Sequence, residues 1–226
     1  MASIWIIFIG FMILSWFISH TLKSKFKKYS KILLDNGMSG RDIAEKMLRD
    51  HGISDVRVES VKGQLTDHYN PANKTINLSE DVYGTCSVAA AAVAAHECGH
   101  AVQHAESYAW LQFRSAIVPV ISFASSWMQW VLLAGILLIE VFPYLLVVGV
   151  VLFAMTTLFS FITLPVEINA SKRALAWLST SGLTTSANDE AAKDALKSAA
   201  YTYVVAALGS LATLLYYVMI LLGRRD

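Results

Sequence analysis

Residues 87–104 read SVAAAAVAAHECGHAVQH, and the interpretation of the whole chain starts from this stretch. Alanine is the strongest helix former, so the run before His96 predicts a helix that continues through the polar residues. In such a helix His96 and His100 lie on one face, about 6 Å apart along the axis. Charged and polar residues crowd both flanks, so the apolar run is too short to cross a membrane.

The spacing of His96, Glu97 and His100 is the H-E-x-x-H pattern of zinc hydrolases. Zinc accepts imidazole nitrogen and favours four ligands, one of them water in catalytic sites. We therefore predict His96 and His100 as metal ligands and Glu97 as the catalytic carboxylate that takes a proton from the attacking water. The alternative interpretation is a helix face that is polar by chance.

Two histidines do not complete such a site, so a third ligand is required. On an unbroken helix His104 lies about 12 Å beyond His96, too far to share one ion. No glycine follows His100 to turn the chain back, and we expect His104 to make a partly buried polar contact instead. The third ligand must therefore come from a distant part of the sequence.

Long uncharged runs indicate an integral membrane protein. Hydrophobic residues make up 55% of the 226 residues, and charged residues only 15%. A run of about 18 or more apolar residues can cross a bilayer as a helix. The uncharged runs are 4–18, 117–139, 144–166 and 201–222. We predict four spanning helices, of which the first is marginal in length.

The charge distribution predicts the orientation. Five lysines follow the first run, and positive charge is retained on the cytoplasmic side, so the amino terminus is expected outside the cell membrane. The predicted organisation has four spans and two cytoplasmic parts. In order, it comprises transmembrane helix 1 (3–19), a cytoplasmic catalytic region (20–115), transmembrane helices 2 (117–139) and 3 (144–164), a cytoplasmic segment with the third ligand (165–200), and transmembrane helix 4 (201–222).

The polar region before the motif predicts a small α+β domain. Ser39 and Asp42 match a capping box, and apolar residues then recur at helical spacing until Gly52. Residues 56–61 and 74–78 alternate between apolar and polar, as half-buried strands do. With residues 65–69 between them, these segments predict a short β-meander.

Topology selects a candidate for the third ligand. Two spans separate His100 from Glu167, so the chain returns to the same side of the membrane there. Glu167 is the first acidic residue after that hairpin, and we predict it as the third ligand. The alternative is a carboxylate that stabilises a helix amino terminus after Pro165. Asp189 and Glu190 are better explained as capping charges.

The net charge and the two cysteines also bear on the function. The net charge of +1 gives no reason to expect nucleic acid as a partner. Cys86 and Cys98 would lie about 18 Å apart on one continuous helix, so we expect no disulfide between them, which fits a reducing cytoplasm.

Three separated motifs resemble those of the YugP-type bacterial membrane zinc metallopeptidases, over nearly the whole chain. They are LTDHYNP (65–71), AAHECGHAVQ (94–103) and PVEINASKRAL (165–175). The arrangement is also similar to that of gluzincin membrane proteases of the HtpX and CAAX prenyl protease types. In those relatives a second helix carries E-x-x-A-D and supplies the third ligand.

The resemblance implies further roles. Ser171 stands where the relatives have the aspartate expected to orient a zinc-bound histidine. The resemblance also implies a sheet whose edge strand pairs with an extended substrate, and residues 74–78 are our candidate for it. For His68 and Tyr69, stabilisation of the oxyanion and a polar pair in a hairpin are both open. Arg173 is either a site residue or an interfacial cation.

The sequence favours a membrane-embedded zinc-dependent endopeptidase that hydrolyses peptide bonds with a zinc-activated water at the cytoplasmic membrane surface. Its expected cofactor is Zn²⁺, and its partners are the lipid bilayer and a peptide or protein substrate. Two alternatives are an intramembrane zinc protease and a non-catalytic, metal-stabilised membrane scaffold, for which the serine at position 171 is the argument.

Overall fold

The computed structural model describes residues 2–223, without the side chains of residues 2–5 and 7. Within that part of the chain, 73% of residues are helical and a small sheet has three strands. The elements are α1 (Ala2–Tyr29), α2 (Gly40–Asp50), β1 (Arg57–Val61), β2 (His68–Asn70), β3 (Thr75–Ser79), α3 (Glu80–Tyr83), α4 (Val88–Ala105), α5 (Ala109–Leu137), α6 (Tyr144–Thr180) and α7 (Ser186–Leu222).

The chain divides into two compact units. The first, here called the apolar unit, contains Met1–Phe17, Gln112–Leu164 and Thr202–Asp226. The second, the sheet unit, contains Ile18–Leu111 and Pro165–Tyr201. All the predicted site residues belong to the sheet unit.

Three of the described helices, α5, α6 and α7, are long and apolar enough to cross a membrane. They correspond to three of the four predicted spans. The first predicted span is part of α1, which is not among these three helices, so the count of four is not confirmed. The predicted boundary at residue 165 is not a helix end, because α6 continues through Pro165 to Thr180. Proline removes only its own N–H from the helix, and spanning helices tolerate that loss.

The apolar unit is held together by close packing of its helices. A Cβ on Gly135 of α5 would lie 2.6 Å from the Cα of Leu146 in α6, so the two backbones nearly touch. Leu132, Leu146 and Val150 form its buried centre. The hydroxyls of Thr157 and Ser210 lie 2.7 Å apart and link α6 to α7. Small residues and hydroxyl pairs of this kind suit helices that cannot rely on the hydrophobic effect.

The sheet unit begins with the predicted capped helix. Ser39 accepts a hydrogen bond from the backbone N–H of Asp42, and the carboxylate of Asp42 accepts one from the N–H of Ser39. The capping box in α2 is therefore confirmed. Its apolar face is also the predicted one, and its fully or almost fully buried members are Ile43, Ala44, Met47 and Leu48.

The sheet is not the predicted meander. Its strand order is β1-β3-β2, with β1 parallel to β3 and β2 antiparallel to it. The assignment of residues 74–78 as a substrate-pairing edge strand is therefore wrong, because β3 is the central strand and is hydrogen-bonded on both sides. All five of its residues are buried. The edges of the sheet are β1 and β2.

Helix α4 is the predicted motif helix. Ser87 caps it by accepting a hydrogen bond from the N–H of Ala90, and most of its residues are buried. Its alanines leave room for neighbouring elements to approach closely. Cys86 precedes the helix, so the two cysteines do not share one helix as predicted, but both are free, as expected.

Gly99 sets the distance between α4 and α6. A Cβ at this position would lie 2.6 Å from the carbonyl oxygen of Ala170 and 3.1 Å from its Cα. Since real Cβ atoms do not approach backbone so closely, only glycine permits this contact. The missing side chain at Gly99 therefore leaves the space that α6 occupies.

We expect Gly99→Ala to destabilise the protein. Alanine gains about 1 kcal/mol of helix propensity over glycine, but overpacking against backbone costs about 1–3 kcal/mol or more. The melting temperature of detergent-purified protein, followed by tryptophan fluorescence, should fall. Gly84→Ala is the control, because its Cβ would meet nothing within 4 Å. If Gly99→Ala melted at or above the parent's temperature, the close approach would not be needed.

Candidate functional site

Helices α4 and α6 bring two imidazoles and one carboxylate together. Oε2 of Glu167 lies 3.3 Å from Nε2 of His96 and 3.6 Å from Nε2 of His100. Among the described residues, these three are the group whose potential ligand atoms lie close enough for one metal ion, all within 4.8 Å of one another. Their assignment as ligands stays a prediction, and the geometry is compatible with it.

The cluster is largely removed from water. His100 is 8% exposed and Glu167 is 4% exposed. Glu167 lies in the interior of α6, 23 residues from its start at Tyr144, so it is not the helix amino-terminal charge that the alternative interpretation required. The carboxylate therefore interacts with imidazole and not with a helix terminus.

The electrostatics of His100 favour a positive charge at this position. Burial disfavours the imidazolium, but hydrogen bonds to Glu167 and Gln103 and the charges of Glu97 and Glu167 outweigh it and raise the pKa of His100. A proton and a metal ion compete for the same ring nitrogen. The surroundings of His100 thus suit a cation, whether a proton or a metal.

Glu97 is held by the sheet. Its Oε2 accepts a hydrogen bond of 2.9 Å from the backbone N–H of Tyr69 in β2. Glu97 is 8% exposed, so this bond fixes a carboxylate that is nearly buried. Because Tyr69 donates toward α4, the outer edge of β2 faces the motif helix.

His104 makes the polar contact that was predicted for it. Its Nδ1 lies 2.7 Å from the hydroxyl of Tyr69. His68 is on the opposite face of the sheet from Tyr69, because successive strand residues alternate. Its ring contacts the carbonyl of Thr66 and the amide of Asn77 in the adjacent strand. The geometry of His68 is that of a polar pair in the hairpin.

Ser171 contacts His96, as its position in the motif suggested. The hydroxyl oxygen lies 3.1 Å from Nδ1 of His96. The contact has the placement expected of the aspartate in related proteases, but it carries no charge. A hydroxyl can either donate to or accept from the ring nitrogen.

Gln103 is the main site residue that sequence reasoning missed. It is fully buried, and its Oε1 lies 3.1 Å from Nδ1 of His100. Its Nε2 donates to the carbonyl of Val166 and to Oδ1 of Asn169, both on α6. A glutamine three residues after His100 lies near it on the helix surface, and that spacing could have identified it.

Comparison with known proteins agrees with the resemblance. The family model described as "Putative neutral zinc metallopeptidase" matches residues 4–222. The chain is 44% identical over 213 residues to "Putative membrane protease YugP" of Bacillus subtilis (strain 168), covering 94% of each protein. No solved structure matches the chain.

The family model matches nearly the full length of the chain, and the Bacillus subtilis relative is 44% identical to it. Together the two findings show the family, and the family implies a zinc cofactor. The chain belongs to the family that is described as "Putative neutral zinc metallopeptidase".

Proposed function

We propose that this protein is a membrane-anchored zinc endopeptidase of the gluzincin type, with His96, His100 and Glu167 as zinc ligands and Glu97 as general base. The observation that carries the proposal is the convergence of His96, His100 and Glu167. The two histidines belong to α4 and the glutamate to α6, 67 positions after His100 in the sequence. The adjacent Glu97 supplies the carboxylate that hydrolysis requires.

The three side chains fit a zinc ion by their chemistry. Two imidazole nitrogens and one carboxylate oxygen are a known ligand set of catalytic zinc, with one position left for water. Two ligand atoms at about 2.0–2.1 Å from a tetrahedral ion lie about 3.3 Å from each other. The 3.3 and 3.6 Å distances from Glu167 to the two histidines agree with that spacing.

Zinc, when bound, polarises a carbonyl and lowers the pKa of a water to roughly 7. Glu97 is next to the first histidine, and the N–H of Tyr69 holds one of its oxygens. Its other oxygen, Oε1, would accept the proton of the attacking water and deliver it to the leaving amine. General base catalysis of this kind contributes about 10²–10⁴-fold to the rate.

The β2 edge is our candidate for substrate alignment. β3 is occupied on both sides, whereas the outer edge of β2 faces α4 at Tyr69, next to Glu97. An extended peptide can add to an exposed strand edge through backbone hydrogen bonds. This location would bring a substrate backbone next to the proposed zinc site.

For the membrane arrangement we propose four spans in the cell membrane, including residues 3–19 of α1, with the amino terminus outside and the sheet unit in the cytoplasm. The lysines after the first span support this orientation. One observation favours the intramembrane alternative: Glu167 belongs to α6, which is itself a candidate span. The side of the membrane is therefore worth testing directly.

We expect Glu97→Gln to bind zinc like the parent protein and to cleave casein about 10²–10⁴-fold more slowly. The amide still accepts a hydrogen bond from Tyr69 but takes up no proton. Zinc content and chelator-sensitive cleavage would be measured on one detergent-purified sample. Glu59→Gln, on the exposed strand β1, is the control and should cleave at the parent rate. Equal cleavage by Glu97→Gln would refute the mechanism, and a zinc-binding parent without peptidase activity would support the scaffold alternative.

His100→Ala and Glu167→Gln should each lose zinc. Removal of a direct ligand weakens binding by more than the roughly 10–100-fold typical of outer contacts. Elemental analysis and competition with a chromogenic chelator would measure the loss. His104→Ala is the matched control, since His104 contacts Tyr69 and lies outside the ligand group. Retention of stoichiometric zinc by His100→Ala would exclude the proposed site.

The orientation predicts opposite labelling of two engineered cysteines. Lys62→Cys lies in an exposed loop of the sheet unit and Val141→Cys in the α5–α6 turn, each in a Cys86→Ser background. With a membrane-impermeant thiol reagent on intact cells, position 141 should react at once and position 62 only after permeabilisation. The reverse pattern would contradict the orientation, and protection of position 62 in both conditions would favour the intramembrane alternative.

A further inference from the structure

A chain of polar side chains extends from His100 across to α6, on the side away from Glu167. It is formed by Gln103 of α4 and by Asn169 and Arg173 of α6, and is here called the Gln103–Asn169–Arg173 relay. Gln103 is fully buried, so its amide has no water to satisfy it. None of these three residues is a proposed zinc ligand.

Arg173 determines the direction of the hydrogen bonds in this relay. A guanidinium group has only donors. Its Nε lies 2.8 Å from Asn169, so the Asn169 atom facing it is the amide oxygen. The atom of Gln103 that lies 2.9 Å from the same oxygen must then be the amide nitrogen.

A second contact independently gives the same orientation of Gln103. The same nitrogen lies 2.9 Å from the backbone carbonyl of Val166, which only accepts. With both its hydrogens used by acceptors, Gln103 presents its oxygen to Nδ1 of His100 at 3.1 Å. Nδ1 must therefore carry a hydrogen. The other ring nitrogen, Nε2, faces Glu167 and is the one able to bind a metal ion.

The first histidine of the motif has no such constraint. Nδ1 of His96 faces the hydroxyl of Ser171, which can be either donor or acceptor. Of the two histidines, only His100 has a hydrogen position that its neighbours dictate.

Two further contacts hold the guanidinium in place. Arg173 forms an ion pair of 2.7 Å with Glu106, at the carboxyl-terminal cap of α4, and lies over the ring of Tyr108. Glu106 is half exposed, so this pair adds little stability by itself. Its effect is to orient Arg173 toward Asn169.

We propose that Arg173 is a positioning residue that acts through Asn169 and Gln103 to hold His100 with Nδ1 as hydrogen donor and Nε2 as the metal-binding nitrogen. The inference rests on the proposed function, because it assumes that His100 binds zinc. Outer contacts of a metal-binding histidine are typically worth 10–100-fold in metal affinity.

The test measures zinc affinity of the full-length, detergent-purified protein by chelator competition. Asn169→Leu and Arg173→Leu should each weaken zinc binding 10–100-fold. Asn169→Asp keeps an acceptor for both donors and should stay within about threefold of the parent. Lys172→Leu is the matched control: it removes a cation from the same helical turn at an exposed position and should also bind like the parent.

A double-mutant cycle distinguishes a relay from general destabilisation. If Arg173 acts through Asn169, the variant with both leucines should bind zinc no more weakly than Asn169→Leu alone. Fully additive losses would overturn the proposal. Arg173 has a side chain that is one quarter exposed, so Arg173→Leu remains informative even if Asn169→Leu fails to fold.

His100→Ala in the same assay distinguishes a wrong relay from a wrong zinc site. If His100→Ala loses zinc while Asn169→Leu and Arg173→Leu bind like the parent, the relay is wrong and the proposed zinc site stands. If His100→Ala also binds like the parent, the zinc site itself is wrong.

Discussion

A carboxylate buried between two imidazoles is the constraint on which the sheet unit depends. Oε2 of Glu167 is close to both His96 and His100, and the side chain is almost inaccessible to water. Desolvation of an ionised carboxylate costs several kcal/mol unless positive charge compensates it. A cation at this position, either protonated imidazole or a metal ion, provides that compensation. A cation at the proposed zinc site thus also compensates the charge of a buried carboxylate.

A close contact between the backbones of α4 and α6 holds the side chains of this cluster in position. Gly99 brings α4 against the backbone of Ala170 in α6. On α4 the contact lies between the two histidines, and on α6 it lies three residues after Glu167. The alanines of α4 leave few rotatable groups in the surrounding core. A site that needs ligand atoms about 3.3 Å apart is best supported by rigid helices of this kind.

The polar residues around the cluster constrain its two histidines to different degrees. Ser171 offers His96 a hydroxyl that can donate or accept, whereas Gln103 offers His100 an acceptor whose orientation is determined by Asn169 and Val166. Ser171 places no charge near His96. The neutral amides near His100 provide directional hydrogen bonds in its vicinity without the cost of another buried charge.

The sequence by itself determined the features that depend on local spacing. The helix that carries His96 and His100, the capping box of Ser39 and Asp42, and three apolar helices all follow from propensity or periodicity, which act over a few residues. The prediction of Glu167 as the third metal ligand likewise needs only the order of the spans along the chain.

Only the tertiary structure decided what depends on partners distant in sequence. The order β1-β3-β2 made β3 central, although alternation of apolar and polar residues looks the same in edge and central strands. Gln103 contacts Val166 and Asn169 because α4 and α6 touch, and no local pattern of the sequence predicts that contact between helices. Hydrogen bonds between distant helices depend on where packing brings their backbones, and packing is a property of the whole chain.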